Sequence, residues 1–236
     1  MKTFKVLSAL LSYPSEALVA AVPELEAVLD AEGMLPDAER TALQPLLEQI
    51  GGGEVYDLQE RYGLLFDRSK ALALYLFEHV HGEGRDRGQA MVDLKGMYEE
   101  AGLEIAANEL PDYLPLFLEF LSTQPLASAR ELLGQTTHIL AVLADRLDKR
   151  RSVYKAVFDA LVAIAEEAPS RAIVDEMLKS PDTDPMDLQA LDAAWEDEEV
   201  RFGPGAQNQE ACGHESLIAK LRHAKRAVSD APSSMQ

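Results

Sequence analysis

Apolar residues in this chain recur every three or four positions up to about residue 179, and alternating runs bounded by turns are absent. A helix with one apolar face can bury it only against another element, so the pattern dictates packed helices. Proline and glycine divide the pattern into segments. Helices are predicted near 3–12, over 16–31 after Pro14-Ser15 and before Gly33, and over 38–50 between Pro36-Asp37 and Gly51-Gly52-Gly53. Further helices are predicted near 54–66, 70–80, 86–101 with Gly102 as a stop, 112–122, 126–148, 152–167 and 170–179. The expected fold is all-α: a single globular helical bundle of about ten helices over residues 1–180, followed by a flexible acidic/linker C-terminal tail.

The segment 112–122 reads as the central helix. Leu114, Phe117, Leu118 and Leu121 form one stripe, and Tyr113, Leu116 and Phe120 a second. A helix apolar on most sides is buried on most sides. Pro115 fits only a first turn, which puts Asp112 near the N-cap, where a carboxylate accepts a backbone hydrogen bond. Capping and ligand contact are both open to Asp112, and neither excludes the other.

Beyond Lys179 the character changes. Pro181 to Val200 holds eight acidic residues and no basic one. Asp184-Pro185 is a plausible helix start, Phe202 to Glu210 reads as a linker, and Ser216 to Val228 as a short basic amphipathic helix. Residues 181–236 are therefore expected to be partly disordered.

Charge narrows the partners. With 22 Lys+Arg against 41 Asp+Glu the net charge is −19, which repels nucleic acid and anionic membrane surfaces and attracts cationic partners. Cys212 stands alone, so no intrachain disulfide or cysteine-rich metal site forms, as suits a reducing cytoplasm. Val6 to Leu11 behind Lys2 and Lys5 superficially suggests a signal peptide, but Ser8 interrupts it and Ser12-Tyr13-Pro14 ends it. It reads as a first core helix. No run approaches the ~18 apolar residues of a membrane span.

Seven ionisable groups, Glu78, His79, His81, Glu83, Arg85, Asp86 and Arg87, crowd into ten residues around Gly82 and Gly84. Such groups on a bend between helices must be solvated, paired or aimed at a partner. His79-x-His81 with Glu78 and Glu83 is the best metal candidate, yet helical residues two apart diverge, and capping with pairing to Arg85 and Arg87 is the simpler reading. Gly82-x-Gly84 with Gly88 lacks the strand or the Gly-Lys-Ser/Thr of a phosphate loop, so these glycines serve the turn. Tyr62 and Phe66, four apart, share a face and read as core. His138 falls off the main stripe of its helix and is expected to be exposed. Acidic groups at Asp182, Asp184, Asp187 and Glu196 to Glu199 could bind Mg²⁺. They keep one alternative open: an all-helical, acidic-site metal-dependent phosphotransfer or hydrolase enzyme.

Three blocks, YGLLFDR (Tyr62 to Arg68), LFEHVHGEGRDRGQAMVDL (Leu76 to Leu94) and ELPDYLPLFLEFLS (Glu109 to Ser122), closely resemble the NarJ family of nitrate reductase assembly chaperones. LDAAWEDEEVRF, Leu191 to Phe202, is a weaker match. Tyr113 departs from the family wording, which generally has His after the Pro-Asp pair.

The resemblance implies a cytoplasmic, noncatalytic chaperone with no cofactor of its own. It implies binding to the N-terminal peptide of the apo catalytic (alpha) subunit of respiratory nitrate reductase. It also implies support of molybdenum cofactor insertion before membrane docking, with molybdenum cofactor biosynthesis proteins as further partners. Nucleic acid and direct membrane insertion are not expected. On that reading the peptide-binding residues are Tyr62, Phe66, Phe77, Glu78, His79, His81, Glu109, Asp112 and Tyr113, with Gly82, Gly84, Arg85 and Arg87 forming a structural bend. Acidification towards pH ~6 is expected to weaken binding as His79 and His81 gain charge beside a cationic peptide.

Overall fold

The computed structural model describes residues 1–80, 85–105, 109–180 and 182, with the backbone alone at 85 and 86. Among the described residues lie eleven α-helices and no strand. They are α1 (Lys2–Leu10), α2 (Glu16–Glu32), α3 (Asp37–Ala42), α4 (Gln44–Gly52), α5 (Val55–Tyr62) and α6 (Arg85–Glu100). α7 (Leu114–Thr123), α8 (Leu126–Gly134), α9 (Thr137–Lys149), α10 (Lys155–Ile164) and α11 (Arg171–Met177) complete the set. The expected all-α bundle is thus observed. Apart from Asp182, the acidic segment, linker and basic helix expected over residues 181–236 lie outside the described residues.

Local chemistry accounts for the boundaries. Ser15 caps α2, its side chain accepting from Leu18 N at 3.2 Å. Gly33 ends that helix at φ +57°, the left-handed geometry that glycine takes without a Cβ clash. Gly102 does the same after α6 at φ +76°. In α6 the buried face is Ala90, Leu94 and Tyr98, with Met91 and Met97 at its edges.

α7 is central. Leu114, Phe117, Leu118, Phe120 and Leu121 are all buried, and α1 lies antiparallel against them. The Met1 amino group donates to the Ser122 carbonyl at one end, and Ser8 Oγ donates to Pro115 O at 2.8 Å near the other. α9 and α10 pack on each other, and Phe4, Leu7, Leu118, Leu140, Leu143, Phe158 and Leu161 belong to one continuous apolar core.

Several sequence expectations need correction. The predicted helix 38–50 is two helices, α3 and α4, and 126–148 is α8 and α9 with a turn at Gln135-Thr136. Thr136 and Thr137 turn their hydroxyls onto Leu133 O and Gly134 O at 2.8 Å, satisfying carbonyls that the break would strand. His138 is half-buried rather than exposed. The predicted helix 54–66 runs as α-helix only to Tyr62 and then widens into a π turn over Gly63–Asp67, closed by Arg68 N donating to Gly63 O at 3.1 Å. Asp112 does not cap α7; Tyr113 holds that position without a side-chain cap bond.

The largest departure is 70–80, predicted helical. It consists of two single 3₁₀ turns, Lys70–Leu72 and Leu76–Glu78, around an extended stretch. Tyr75 there pairs antiparallel with Tyr113. Leu76 N donates to Asp112 O at 3.0 Å, and Leu114 N to Leu74 O at 2.8 Å. Residues Ala71 to Leu74, Leu76 and Phe77 are all buried, so their backbone groups must find partners outside a helix. Arg146 Nη1 donates to Ala71 O and His79 Nε2 to Ala73 O, each at 2.7 Å.

Candidate functional site

The paired strand-like segments open a pocket of about 260 Å³ between the end of α1, the π turn and the residues entering α7. It is lined by Tyr13, Tyr62, Phe66, Asp67, Leu74, Tyr75, Glu109 and Tyr113. The π turn widens the helix by one residue, a feature frequent at functional sites. It follows Tyr62 directly and carries Phe66 and Asp67, all three on the lining.

The aromatic wall is continuous. Tyr13 meets Tyr62 edge-on at 5.5 Å between centroids, Tyr62 meets Phe66 at 4.9 Å, and Phe66 rests edge-on against Tyr154 at 5.1 Å. Tyr75 and Tyr113 lie 5.5 Å apart across the bridge. Tyr62 and Phe66 are nearly buried, so core packing and pocket lining are served by the same rings. Tyr13 is 54% exposed.

The hydroxyls form a directed network. Tyr62 donates to Leu11 O at 2.8 Å. Its proton is thereby used, so the Tyr113 hydroxyl, 3.2 Å away, donates to Tyr62. Tyr75 donates to Glu109 Oε2 at 3.2 Å. Burial, and then the Glu109 charge, push the Tyr75 phenol up to about 12. Burial also raises the Asp67 carboxyl above its ordinary value.

Of the residues singled out in the sequence, Tyr62, Phe66, Glu109 and Tyr113 come together on this lining. Phe77 and Asp112 sit beneath it instead. Phe77 is 1% exposed and Asp112 fully buried, Asp112 Oδ2 accepting from Phe77 N at 3.0 Å. Asp112 Oδ1 meets no hydrogen-bond partner among the described residues. Burial raises the Asp112 carboxyl, against the opposing pull of the Phe77 amide and Arg87.

Glu78 stands outside the pocket and pairs with Arg87 at 3.6 Å. His79 is tucked against the Ala73 carbonyl, and burial holds its imidazole below the usual histidine range. An imidazolium there would be desolvated, which opposes the expected charging of His79 towards pH 6. His81, Gly82, Gly84, Glu83 and the side chain of Arg85 lie outside the described residues. Tyr13, Asp67, Leu74 and Tyr75 were not read from the sequence as site residues. Asp67 is within reach of the sequence, since it lies in the Tyr62 to Arg68 block.

No group of three or more potential metal ligands occurs among the described residues, and Asp184, Asp187 and Glu196 to Glu199 fall beyond them. No helix of the described residues is long and apolar enough to cross a membrane.

Residues 32–160, more than half of the chain and including the π turn and the bridge, match the family model described as nitrate reductase delta subunit. The chain belongs to that family. Other proteins similar to this member of the nitrate reductase delta subunit family carry assembly names. One is the nitrate reductase molybdenum cofactor assembly chaperone NarJ of Escherichia coli (strain K12), 41% identical over 223 residues, which covers 94% of this chain and 92% of the relative. The probable assembly chaperone NarW of the same strain is 42% identical over 204 residues, 86% of this chain and 84% of the relative. The probable NarJ of Bacillus subtilis (strain 168) is 34% identical over 173 residues, 73% of this chain and 93% of the relative.

Proposed function

We propose that this chain is a cytoplasmic, noncatalytic assembly chaperone of respiratory nitrate reductase. It binds the N-terminal peptide of the apo catalytic subunit and holds that subunit while the molybdenum cofactor is inserted. It then leaves before the enzyme docks at the membrane. The observation that carries this reading is the similarity, along 94% of the chain, to a molybdenum cofactor assembly chaperone.

The pocket supports a physical form for the interaction. An amphipathic basic peptide lays its apolar face on an aromatic surface and its cations against carboxylates. Tyr13, Phe66 and Tyr113 offer the first, and Asp67 and Glu109 the second. Asp112 and Phe77 act from below by holding the bridge that shapes one wall, and the Glu78–Arg87 pair braces the approach to α6.

The test is calorimetric titration with a synthetic peptide from the N-terminus of the cognate catalytic subunit, against a scrambled peptide of equal charge. Saturable binding to the native peptide alone supports the chaperone reading. Equal binding to both, or none, removes peptide recognition from it.

A further inference from the structure

We infer that the tyrosine-walled pocket is a subsite for a single guanidinium side chain, with Asp67 and Glu109 as its counter-charges. This rests on the peptide-binding reading above and assigns the cation to one place on the surface.

Size comes first. A cavity of about 260 Å³ is smaller than the roughly 300–1,000 Å³ of pockets that enclose whole small molecules. It suits one side chain, not a helix.

Polarity comes second and decides the sign of the ligand. The protons of three lining hydroxyls are used within the protein: Tyr62 on Leu11 O, Tyr113 on Tyr62 and Tyr75 on Glu109. What these oxygens have left to offer is lone pairs. Asp67 and Glu109 add carboxylate oxygens, and no lysine or arginine is among the described residues that line the pocket. Neither carboxylate is matched in an ion pair with a Lys or Arg among the described residues. An anion would meet two carboxylates and three committed hydroxyls, with the half-exposed Tyr13 hydroxyl as the one side-chain donor among the described lining residues. A guanidinium has five donors and no acceptor, the complement of such a wall.

The rings decide between the two common cations. Tyrosine faces attract a cation through the ring quadrupole. Arginine adds a planar, weakly hydrated group that stacks on rings and donates to two carboxylates at once, where lysine presents a compact, strongly hydrated ammonium. Tyr13, half-exposed at the mouth, and Tyr75, beside Glu109, are the rings with room to close on it.

The experiment is calorimetry with the native N-terminal peptide and a set in which each arginine in turn is replaced by citrulline, its neutral isostere. One replacement is expected to weaken binding about tenfold, the others far less. Tyr13→Leu and Asp67→Asn should each weaken the native peptide yet leave the affected citrulline peptide unchanged, while Tyr13→Phe, which keeps the ring, restores binding. Both positions lie at the surface, and unfolding curves of the variants check that the fold is kept. Equal losses at every arginine, or variant effects that simply add, overturn the subsite while leaving peptide binding intact.

If the native peptide does not bind at all, the functional reading fails and the pocket is tested alone. Acetyl-arginine amide and acetyl-citrulline amide are then titrated against the ring NMR signals of Tyr13 and Tyr75. Shifts with the arginine probe only sustain the cation subsite; equal or absent shifts overturn it.

Discussion

At the scale of single residues, Asp112 and His79 set how the stability of the segment beneath the pocket responds to pH. Asp112 is fully buried, with Oδ2 on the Phe77 amide and Oδ1 unpartnered among the described residues. Its carboxyl is raised by burial, so the folded chain holds the proton more tightly than the unfolded chain. The stability this contributes is complete below the unfolded value of about 3.9 and is lost as pH rises through the folded one. Asp112→Asn keeps a carbonyl for Phe77 N and removes the titration. Its urea midpoint should match or exceed the parent's at neutral pH and lose that advantage near pH ~4. Asp112→Ala abandons the Phe77 amide and should cost about 1–3 kcal/mol at any pH. A neutral-pH loss for Asn as large as for Ala would mean that the charge itself is needed. His79 has the opposite sign. Its imidazole is lowered by burial, so its contribution is present above about pH 6.5 and lost as pH falls through the folded value. His79→Gln, which can still donate to Ala73 O, should flatten the fall in stability between about pH 7 and 5. It should leave the pH dependence of peptide affinity between about 8 and 6 as it was.

At the scale of elements, the segment from Ser69 to Glu78 carries the pocket wall and depends on a side chain 75 positions away. Arg146 is 4% exposed on α9 and donates to Ala71 O at 2.7 Å. Arg146→Met keeps much of the volume but leaves that carbonyl buried without a donor. A loss of about 1–3 kcal/mol is expected in urea unfolding. Faster hydrogen exchange is expected at the Leu76 and Leu114 amides, which hold the bridge. Unchanged exchange at those amides would disconnect Arg146 from the wall. The same segment explains what sequence reading could reach. The stripes of α1, α2, α6 and α7 announce themselves by period, and Tyr62, Phe66, Glu109 and Tyr113 by the blocks that contain them. Ala71 to Phe77 is an unbroken apolar run, and periodicity alone does not separate a buried helix from a buried extended stretch. What decides it is the supply of donors from Arg146, His79 and Leu114, none of which the run itself contains. The sequence therefore does not reveal Leu74 and Tyr75 as wall residues, and it leaves Asp112 between capping and ligand contact because its partner, Phe77 N, lies in that same run. The π turn was hidden for a related reason. Its residues keep a helical apolar spacing, and only the Arg68–Gly63 hydrogen bond reveals the extra residue.

At the scale of the whole molecule, two features act together: a closed apolar core and a large negative charge. The described core runs from Phe4 to Val174, and Arg150 reaches from the end of α9 to Asp182 at 2.7 Å. A chain ended after residue 182 keeps these described contacts and should still unfold cooperatively in urea, read by circular dichroism. Removing residues 183–236 leaves 17 basic against 31 acidic residues, a net of −14 of the original −19. A basic peptide should consequently be drawn to both forms by the long-range field rather than by contact pairs alone. The Debye length shrinks from about 30 Å at 0.01 M salt to about 8 Å at 0.15 M, so this attraction is screened before the buried ring contacts are. Stopped-flow association of a labelled peptide should slow about tenfold over that range, with dissociation far less affected. The shortened chain should show a shallower slope of the same sign. A salt effect confined to dissociation would place the electrostatics in contacts within the pocket, and an identical slope for the two chains would mean that charges beyond residue 182 do not reach the approaching peptide.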